Sequence, residues 1–197
     1  MRFLLRRITW GFSIHENVIY LTFDDGPHPD ITPWILDILQ TQNWKATFFC
    51  VGENVVKYPE IFQRILDEGH AVGNHTMKHE NALNTKPADY LKSIYDAGKR
   101  IPSVLFRPPY GKLTPLLLKR INKTHKVVLW SYMTYDFDSS VPEQVIIDKF
   151  RSGFKKGDII VLHDNPKFKD RQQLIFPALV EILKEKQYVS RAIDLSD

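Results

Sequence analysis

The sequence predicts an α/β fold made of parallel strand–helix units, and three observations favour it. Short β-branched or aromatic runs alternate with longer stretches of helical pattern along the chain. The length suits one domain spanning all 197 residues. Hydrophobic residues make up 43% and charged residues 25%, as in soluble globular proteins. We therefore expect either an open doubly wound sheet or a closed or nearly closed barrel, which periodicity alone does not separate.

Seven runs have the length and composition of strands, and six stretches between them have the pattern of helices. The predicted strands are residues 18–23, 46–51, 71–73, 104–106, 127–130, 159–162 and 188–193. The predicted helices are residues 32–42, 59–68, 87–100, 114–122, 142–152 and 174–186. Such alternation is typical of parallel sheets, whose strands are joined by crossover helices.

Proline and glycine residues near the helix ends support the predicted helix boundaries. Thr32 and Thr114 are each followed by proline, which predicts an N-cap and then proline at the first helical position. Gly69 and Gly153 predict helix ends. No glycine-rich phosphate loop follows the first predicted strand, which argues against nucleotide binding.

The charge balance is mildly basic, with a net charge of +4 and a pI near 9.0. This balance permits an anionic polymer as a partner without requiring one. The sequence has no basic run with interleaved aromatic residues, so nucleic acid is not an expected partner. The short cluster of Lys167, Lys169 and Arg171 is interpreted as a solvated loop. We expect a monomer.

The single cysteine and the chain start carry little chemistry. Cys50 lies in an apolar run and is interpreted as a buried small hydrophobic residue, not a nucleophile. Residues 1–7 are charged but precede no apolar stretch of the ~7–15 residues that a secretory signal needs. No run approaches the ~18 apolar residues of a membrane helix. The sequence thus shows no signal peptide or membrane span, and cytoplasmic is the default location.

Reactive side chains follow five of the predicted strands. In folds built from βα units, catalytic residues collect at the C-terminal ends of the strands. The residues at these ends are Asp24, Asp25, His75, His79, Arg107, Tyr110, Asp136 and His163. Carboxylates, imidazoles and a guanidinium that converge on one face predict a catalytic site.

Two histidines and an acidic pair predict a metal site. His75 and His79 are four residues apart, so on one helical turn or a tight loop both imidazoles face the same way. Asp24 and Asp25 repel one another unless a cation or a donor compensates. Two histidines with one carboxylate form a common catalytic zinc set. The residues alone do not say which aspartate binds the cation, and two surface histidines on a polar turn are the alternative.

The remaining polar residues predict acid–base chemistry. A cation lowers the pKa of water, so the second aspartate can complete its deprotonation. His163 is the candidate general acid, because imidazole carries a proton near neutral pH. Arg107 and Asp136 are interpreted as a charged pair, either within the site or as a plain structural salt bridge. The amide N–H of Tyr110 is a candidate oxyanion donor.

Five motifs occur in order between about residues 18 and 193. They are Thr22-Phe23-Asp24-Asp25-Gly26, His75-Thr76-Met77-Lys78-His79, Arg107-Pro108-Pro109-Tyr110, Trp130 with Asp136-Phe137, and Val161-Leu162-His163. Each motif is modest alone, but together they make the chain resemble the polysaccharide deacetylases of carbohydrate esterase family 4, the NodB homology domain. The resemblance implies a distorted (β/α)7 barrel, a TIM-like variant of the α/β class.

The resemblance also implies roles for single residues. It implies that Asp25, His75 and His79 bind a divalent metal, usually zinc, with cobalt or manganese as alternatives.

For the acid–base groups, the resemblance implies that Asp24 is the general base and His163 the general acid. It implies that Arg107 and Asp136 tune the base.

Substrate contacts are implied for Pro109, Tyr110, Phe137 and Val161. Phe137 stands where the family usually has tryptophan, and Val161 where it usually has leucine. Both replacements are apolar, so we expect an altered pocket shape with the chemistry retained.

The expected function is metal-dependent removal of the N-acetyl group from N-acetylglucosamine-type sugars of a peptidoglycan-like or chitin-like glycan, with release of acetate. An O-acetyl esterase on xylan-type glycans is one alternative. A non-catalytic carbohydrate-binding protein is another, although it would not need to retain Asp24 and His163. A protein with a merely structural zinc would leave His163 unexplained.

Overall fold

A computed structural model describes residues 8–195 and contains nine strands and seven α-helices in that range. The strands are β1 (Ile8–Thr9), β2 (Val18–Asp24), β3 (Thr47–Cys50), β4 (Ala71–Asn74), β5 (Leu105–Phe106), β6 (Lys126–Val128), β7 (Tyr132–Met133), β8 (Ile159–His163) and β9 (Val189–Ser190). The helices are α1 (Thr32–Thr41), α2 (Gly52–Lys57), α3 (Pro59–Asp67), α4 (Pro87–Gly98), α5 (Pro115–Ile121), α6 (Glu143–Gly153) and α7 (Lys169–Glu185). Short 3-10 turns occupy Pro109–Gly111 and Pro166–Phe168.

The strands form one curled parallel sheet in the order β1-β6-β5-β4-β3-β2-β8-β7, with β9 paired to the start of β2. An isolated bridge joins Gly11, just after β1, to Asp158, just before β8. Strand β2 is central, because it pairs with β3, β8 and β9. Its last residue, Asp24, lies opposite Phe49 on one side and His163 on the other.

The two faces of β2 explain how the sheet positions polar groups. Leu21 and Phe23 point outward into the main core under the helices, where Phe23 packs against Phe48 and Phe176. Because side chains alternate along a strand, Thr22 and Asp24 point to the opposite face. Both are buried there and both contact a buried arginine from a distant strand end. The strand therefore holds its carboxylate on the inner side of the barrel.

All seven predicted strands are confirmed, and so is the barrel of parallel βα units. Two strands of two residues each, β1 and β7, were missed. Helix α2 was also missed, because it is only six residues long and begins at a glycine. Helix α7 begins at Lys169 and not near residue 174.

The cap predictions are confirmed in part. Thr114 caps α5 and accepts a hydrogen bond from the Leu117 amide, and Gly69 has a positive φ of 74° just past α3. Gly153 ends α6, where a Cβ would lie 2.9 Å from the Tyr132 ring. The N-cap prediction for Thr32 is wrong, because α1 starts at this residue and Ile31 occupies the cap. The Thr32 hydroxyl serves a polar contact described below.

The remaining sequence predictions are simple to place. Cys50 is buried, as expected. The prediction made on residues 1–7 lies outside the described residues. Within residues 8–195, no helix combines the length and the apolar character needed to cross a membrane.

Candidate active site

Six of the eight predicted reactive residues line one cavity of about 610 Å³ at the C-terminal ends of the strands, and Arg107 and Asp136 are buried behind it. Asp24 ends β2 and Asp25 follows it, His75 and His79 lie on the turn after β4, and His163 lies at the end of β8. This is the strand edge at which parallel βα folds place their chemistry.

Asp25, His75 and His79 form a compact candidate metal site. One ligand atom from each residue lies within 4.8 Å of the other two. Asp25 Oδ1 is 3.6 Å from His75 Nε2 and 3.2 Å from His79 Nε2. The histidines lie on a tight turn and not on a helix, in which Thr76 and His79 both have positive φ. The two imidazoles thus face one carboxylate oxygen.

The Asp25 residue is held by amides on either side. Asn165 Nδ2 donates to Asp25 Oδ2 at 3.0 Å, and Asn54 Nδ2 donates to the Asp25 carbonyl oxygen at 2.7 Å. The other carboxylate oxygen, Oδ1, is buried and accepts no hydrogen bond from the described residues. A buried carboxylate oxygen without a donor is costly, and a cation would remove that cost. The residues present therefore fit a divalent metal.

The protonation states of His75 and Asp25 suit a cation. His75 Nδ1 lies 2.7 Å from the Arg107 carbonyl oxygen, so Nδ1 carries the proton and Nε2 offers a lone pair. Burial lowers the pKa of His75, with Asp24 and Asp25 opposing that shift, and favours the neutral imidazole that metals bind. Burial works against the charge of Asp25, but the contact with His79 and the neighbouring histidine charges hold its pKa well below the usual range.

Asp24 is paired with Arg107 deep in the barrel. Arg107 is fully buried and its Nη1 donates to Asp24 Oδ1 at 2.7 Å and to Thr22 Oγ1 at 2.7 Å. Its other nitrogens donate to the carbonyl oxygens of Val128 and Leu129. Every arm of the guanidinium is thus used, and one face of the Asp24 carboxylate is fixed.

The predicted Arg107–Asp136 pair is wrong. Arg107 contacts Asp24, whereas Asp136 contacts His163. Asp136 therefore contacts the candidate acid and not the candidate base. Arg107, the partner of Asp24, and His163, the partner of Asp136, come from strands on opposite sides of β2. The sequence could place each residue at a strand end but could not choose its partner.

The buried Asp136 and the partly buried His163 form a dyad. Asp136 Oδ1 is 2.8 Å from His163 Nδ1, and Asp136 Oδ2 accepts from the His163 amide at 2.7 Å. Burial opposes the imidazolium charge, but Asp136, supported by Asp25 and Asp24, outweighs it and raises the pKa of His163 to about 9. With Nδ1 bound to Asp136, Nε2 is left for the cavity that His163 lines.

Backbone strain is concentrated at this site. Seven non-glycine residues in the described range have a positive φ, which costs ~1–3 kcal/mol each when the conformation is sparsely populated. Five of them either line the cavity or lie within two residues of a lining residue: Asp25 (86°), Thr76 (64°), His79 (57°), Tyr110 (60°) and Tyr135 (63°). The fold therefore tolerates strain where it orients ligands and cavity walls.

Most predicted substrate contacts line the cavity. Tyr110, Phe137 and Val161 are among its lining residues, and Phe168 closes another part of the wall. Pro109 is buried and does not line the cavity, so its predicted direct contact is not supported.

The solvated-loop prediction for the basic cluster is wrong for Arg171, which is partly buried on α7, whereas Lys167 is exposed on a short turn, as predicted. Lys167 lines the cavity. Arg171 donates to the carbonyl oxygens of Asp136 and Val141 and pairs with Glu143 at 2.6 Å. The cluster therefore belongs to the cavity rim and to the support of the dyad.

Several polar residues were missed by sequence reasoning. Asn165 bonds Asp25, while Thr134 and Gln172 bond Asp136. Asp164 is buried and accepts from the Gly26 amide and the Thr32 hydroxyl, which clamps the turn after β2. Only the proximity of Asn165 and Asp164 to His163 in the sequence could have signalled a role.

Comparisons with known proteins agree with this geometry. A family model described as polysaccharide deacetylase matches residues 13–128. The chain belongs to the polysaccharide deacetylase family. It is therefore a hydrolase of carbon–nitrogen bonds other than peptide bonds, and the resemblance drawn from the five motifs is confirmed.

Individual relatives of this deacetylase cover most of its length. A peptidoglycan-N-acetylglucosamine deacetylase of Bacillus cereus is 36% identical over 185 residues, which span 90% of this chain and 85% of that protein. A chitooligosaccharide deacetylase of Azorhizobium caulinodans is 34% identical over 158 residues, or 76% of this chain and 75% of that protein.

Solved structures confirm the fold of the deacetylase. A peptidoglycan N-acetylglucosamine deacetylase in complex with 4-naphthalen-1-yl-N-oxidanyl-benzamide matches with a TM-score of 0.85 at 30% identity, covering 95% of this chain and 91% of that chain. The distorted (β/α)7 barrel predicted from the motifs is thus the fold observed.

Proposed function

We propose that this deacetylase removes the N-acetyl group from N-acetylglucosamine-type sugars of a peptidoglycan-like or chitin-like glycan and depends on a divalent metal. The observation that carries the proposal is the buried Oδ1 of Asp25, which faces Nε2 of both His75 and His79 and accepts no hydrogen bond within the described part of the chain. An acceptor atom of this kind next to two imidazoles fits a cation and little else.

Asp25, His75 and His79 would hold the metal. Two imidazoles with one carboxylate favour zinc, and cobalt or manganese would suit the same donors. When bound, the metal would supply Lewis-acid polarisation of the acetyl carbonyl and would lower the pKa of water.

Asp24 is proposed as the general base. Its carboxylate lies beside the ligand set in the same cavity, and Arg107 fixes one of its oxygens. In the reaction it takes a proton from the water whose oxygen bonds to the acetyl carbon. The Tyr110 amide, on the strained turn of the cavity wall, is proposed to donate to the oxyanion that forms.

His163 is proposed as the general acid. The sugar nitrogen must gain a proton as its bond to the acetyl carbon breaks, since an amide anion is a poor leaving group. Asp136 keeps the imidazole protonated around neutral pH, because it raises the pKa of His163 to about 9. The products are acetate, which keeps the water oxygen, and a free sugar amine.

The glycan class follows from the cavity and the relatives. Phe137, Phe168 and Tyr110 offer aromatic faces around the catalytic groups, as sugar rings require. The relatives described above are named for N-acetylglucosamine and chitooligosaccharide deacetylation. The single-domain organisation, the monomeric state and the cytoplasmic location stay predictions.

The test is acetate release from N-acetylglucosamine oligomers, peptidoglycan fragments and O-acetylated xylan, with bound metal measured in parallel. We expect release from the N-acetylated substrates only, and its loss in Asp24→Asn with the metal content unchanged. Release from xylan alone would make the chain an O-acetyl esterase. Glycan binding without any release would make it a binding protein. Full activity of Asp24→Asn would refute the mechanism.

A further inference from the structure

Gln172, near the start of α7, reaches the Asp136–His163 dyad from behind. Its side chain is fully buried, and Nε2 donates to Asp136 Oδ2 and, at 3.0 Å, to the His163 carbonyl oxygen. Both neighbours of Nε2 are acceptors, so the orientation of the amide is determined by its contacts. The amide thus holds the aspartate and the histidine at once.

Both oxygens of the Asp136 carboxylate have donors, and Gln172 is the one that comes from α7. Oδ1 receives His163 Nδ1 and lies 3.1 Å from the Thr134 hydroxyl, whose proton is shared with the Val161 carbonyl oxygen. Oδ2 receives the His163 amide and Gln172. The neighbouring Arg171 holds the Asp136 carbonyl oxygen at 3.1 Å. The first turns of α7 therefore clamp the backbone and the side chain of the dyad.

We propose that Gln172 is a positioning residue for the deacetylation reaction, which keeps the Asp136 carboxylate and the His163 ring in the orientation needed for proton donation to the leaving nitrogen. This inference rests on the proposed role of His163. It assigns function to a residue that neither touches the cavity nor lies in any of the five motifs.

The physical reason is the cost of a loosely held buried carboxylate. Without Gln172, Oδ2 keeps only the His163 amide, and the His163 carbonyl oxygen loses the amide donor. A buried acceptor that loses its donor seeks another, so the carboxylate can rotate away from the imidazole. His163 would then remain the proton donor, but its imidazole would no longer be held in the orientation that proton transfer needs.

The first test is Gln172→Leu, which keeps the volume and removes the donor. Groups that orient a ligand or an acid typically contribute ~10–100-fold to activity. We expect kcat for acetate release to fall by ~10–100-fold with KM and metal content unchanged. A matched control is Gln144→Leu, because the side chain of this exposed glutamine on α6 bonds Asp148, away from the cavity, and the variant should retain full activity.

The second test, Gln172→Glu, separates orientation from packing. When it is protonated, the carboxyl group introduced by this change can donate to Asp136 Oδ2, whereas two ionised carboxylates repel one another. The other charged groups nearby are His163, Arg171 and the buried Asp164. We expect the activity of this variant relative to the unmodified enzyme to be highest at acid pH and to fall as pH rises. The ratio for Gln172→Leu should stay low at all pH values.

A third readout does not need activity. Proton NMR of the wild-type chain should show a downfield His163 Nδ1–H resonance from its bond to Asp136, and Gln172→Leu should shift or broaden it. If the wild type releases no acetate but this change is seen, the positioning claim survives and the proposed function fails. Normal kcat and an unchanged resonance in a folded Gln172→Leu, or a Gln172→Glu ratio that does not vary with pH, would overturn the inference.

Discussion

The two sides of the catalytic cavity satisfy their buried carboxylates in opposite ways. On the ligand side, Asp25 Oδ1 lies between two imidazole nitrogens and accepts no hydrogen bond from residues 8–195. On the acid side, both carboxylate oxygens of Asp136 accept hydrogen bonds from the chain. The first arrangement fits a cation, whereas the second finds its partners within the chain itself.

This difference tells what each carboxylate is for. A carboxylate with an unsatisfied oxygen is poised to bind, and its neighbours need to be neutral lone-pair donors, as burial makes His75. A saturated carboxylate is poised to orient, and its charge acts on one partner, the His163 imidazolium. An aspartate close to a histidine thus occurs twice at the cavity, once in the candidate metal site and once in the pair that orients the candidate acid.

The largest effect should come from breaking the ligand side. His79→Ala removes one of the two imidazoles that face Asp25 Oδ1, so both metal content and acetate release should fall to background. Metal analysis and an acetate assay on the same preparation measure this. His15→Ala, which changes an exposed histidine that does not line the cavity, is the matched control. Activity that persists in His79→Ala at full metal occupancy would contradict the ligand assignment.

Breaking the acid side should cost less activity and change its pH dependence. General acid catalysis contributes ~10²–10⁴-fold, so Asp136→Asn should lower kcat by roughly 100-fold or more while the metal stays bound. The raised pKa of His163 keeps it protonated above neutral pH, and activity should decline as pH rises through that pKa.

The sign of the pH shift in Asp136→Asn follows from the same contacts. The variant loses the charge that raises the pKa, so the basic limb of its kcat profile should move to lower pH. A bound cation cancels the contribution of Asp25, so the limb of the metal-loaded wild type should lie below about 9. If the basic limb of the kcat profile lay at the same pH in the wild type and in Asp136→Asn, the role of Asp136 would be refuted.

The comparison also predicts a stability difference on metal removal. A ligand at 100 times its Kd stabilises the folded state by ~2.7 kcal/mol, which for a chain of this size corresponds to a Tm shift of ~5–10 °C. Chelation should therefore lower the Tm of the wild type by that order. The Asp136→Asn variant should show the same drop, because its change lies on the other side. No Tm response to zinc in the wild type would argue against a cation at Asp25.

The sequence identified the residues of the site better than it identified the partners that each of them contacts. The sequence predicted that Asp24, Asp25 and His163 lie close together, because each follows or ends a predicted strand and the C-terminal ends of parallel strands meet at one edge of the sheet. It could not give Arg107 its partner, since the choice between Asp24 and Asp136 depends on strand order and on which face each residue occupies. That information lies in the sheet and not in local pattern.

What was missed in the fold has the same origin. β7 is two residues long, and the predicted start of α7 excluded Gln172, because the polar stretch after Pro166 has no apolar periodicity. Both errors fall beside Asp136, so the support of the dyad was invisible before the structure. Short elements held by long-range contacts carry almost no local signal.

The smallest effect should come from the rim, where each side contributes one lysine. Lys112 follows the 3-10 turn after β5, and Lys167 lies in the 3-10 turn after β8. Both line the cavity, and neither has an ion-pair partner among residues 8–195. Exposed charges are worth ~0.2–1 kcal/mol each, so glutamine at either position should raise KM for a carboxylate-bearing glycan by ~1.5–5-fold. KM for a neutral chitooligosaccharide should stay constant, and exposed Lys123→Gln is the control. Equal effects on both substrates would show that the lysines do not read charge.

The central position of β2 also affects how the chain folds during its synthesis. Thr22 on β2 donates to Ile160 on β8, 138 residues further along the chain. During synthesis both histidines of the ligand set leave the ribosome long before β8 exists, so one edge of β2 stays open through most of translation. Open strand edges are where nascent chains mispair and aggregate. The strand that carries Asp24 and leads into Asp25 thus keeps one edge unpaired until β8, in about the last fifth of the chain, is synthesised.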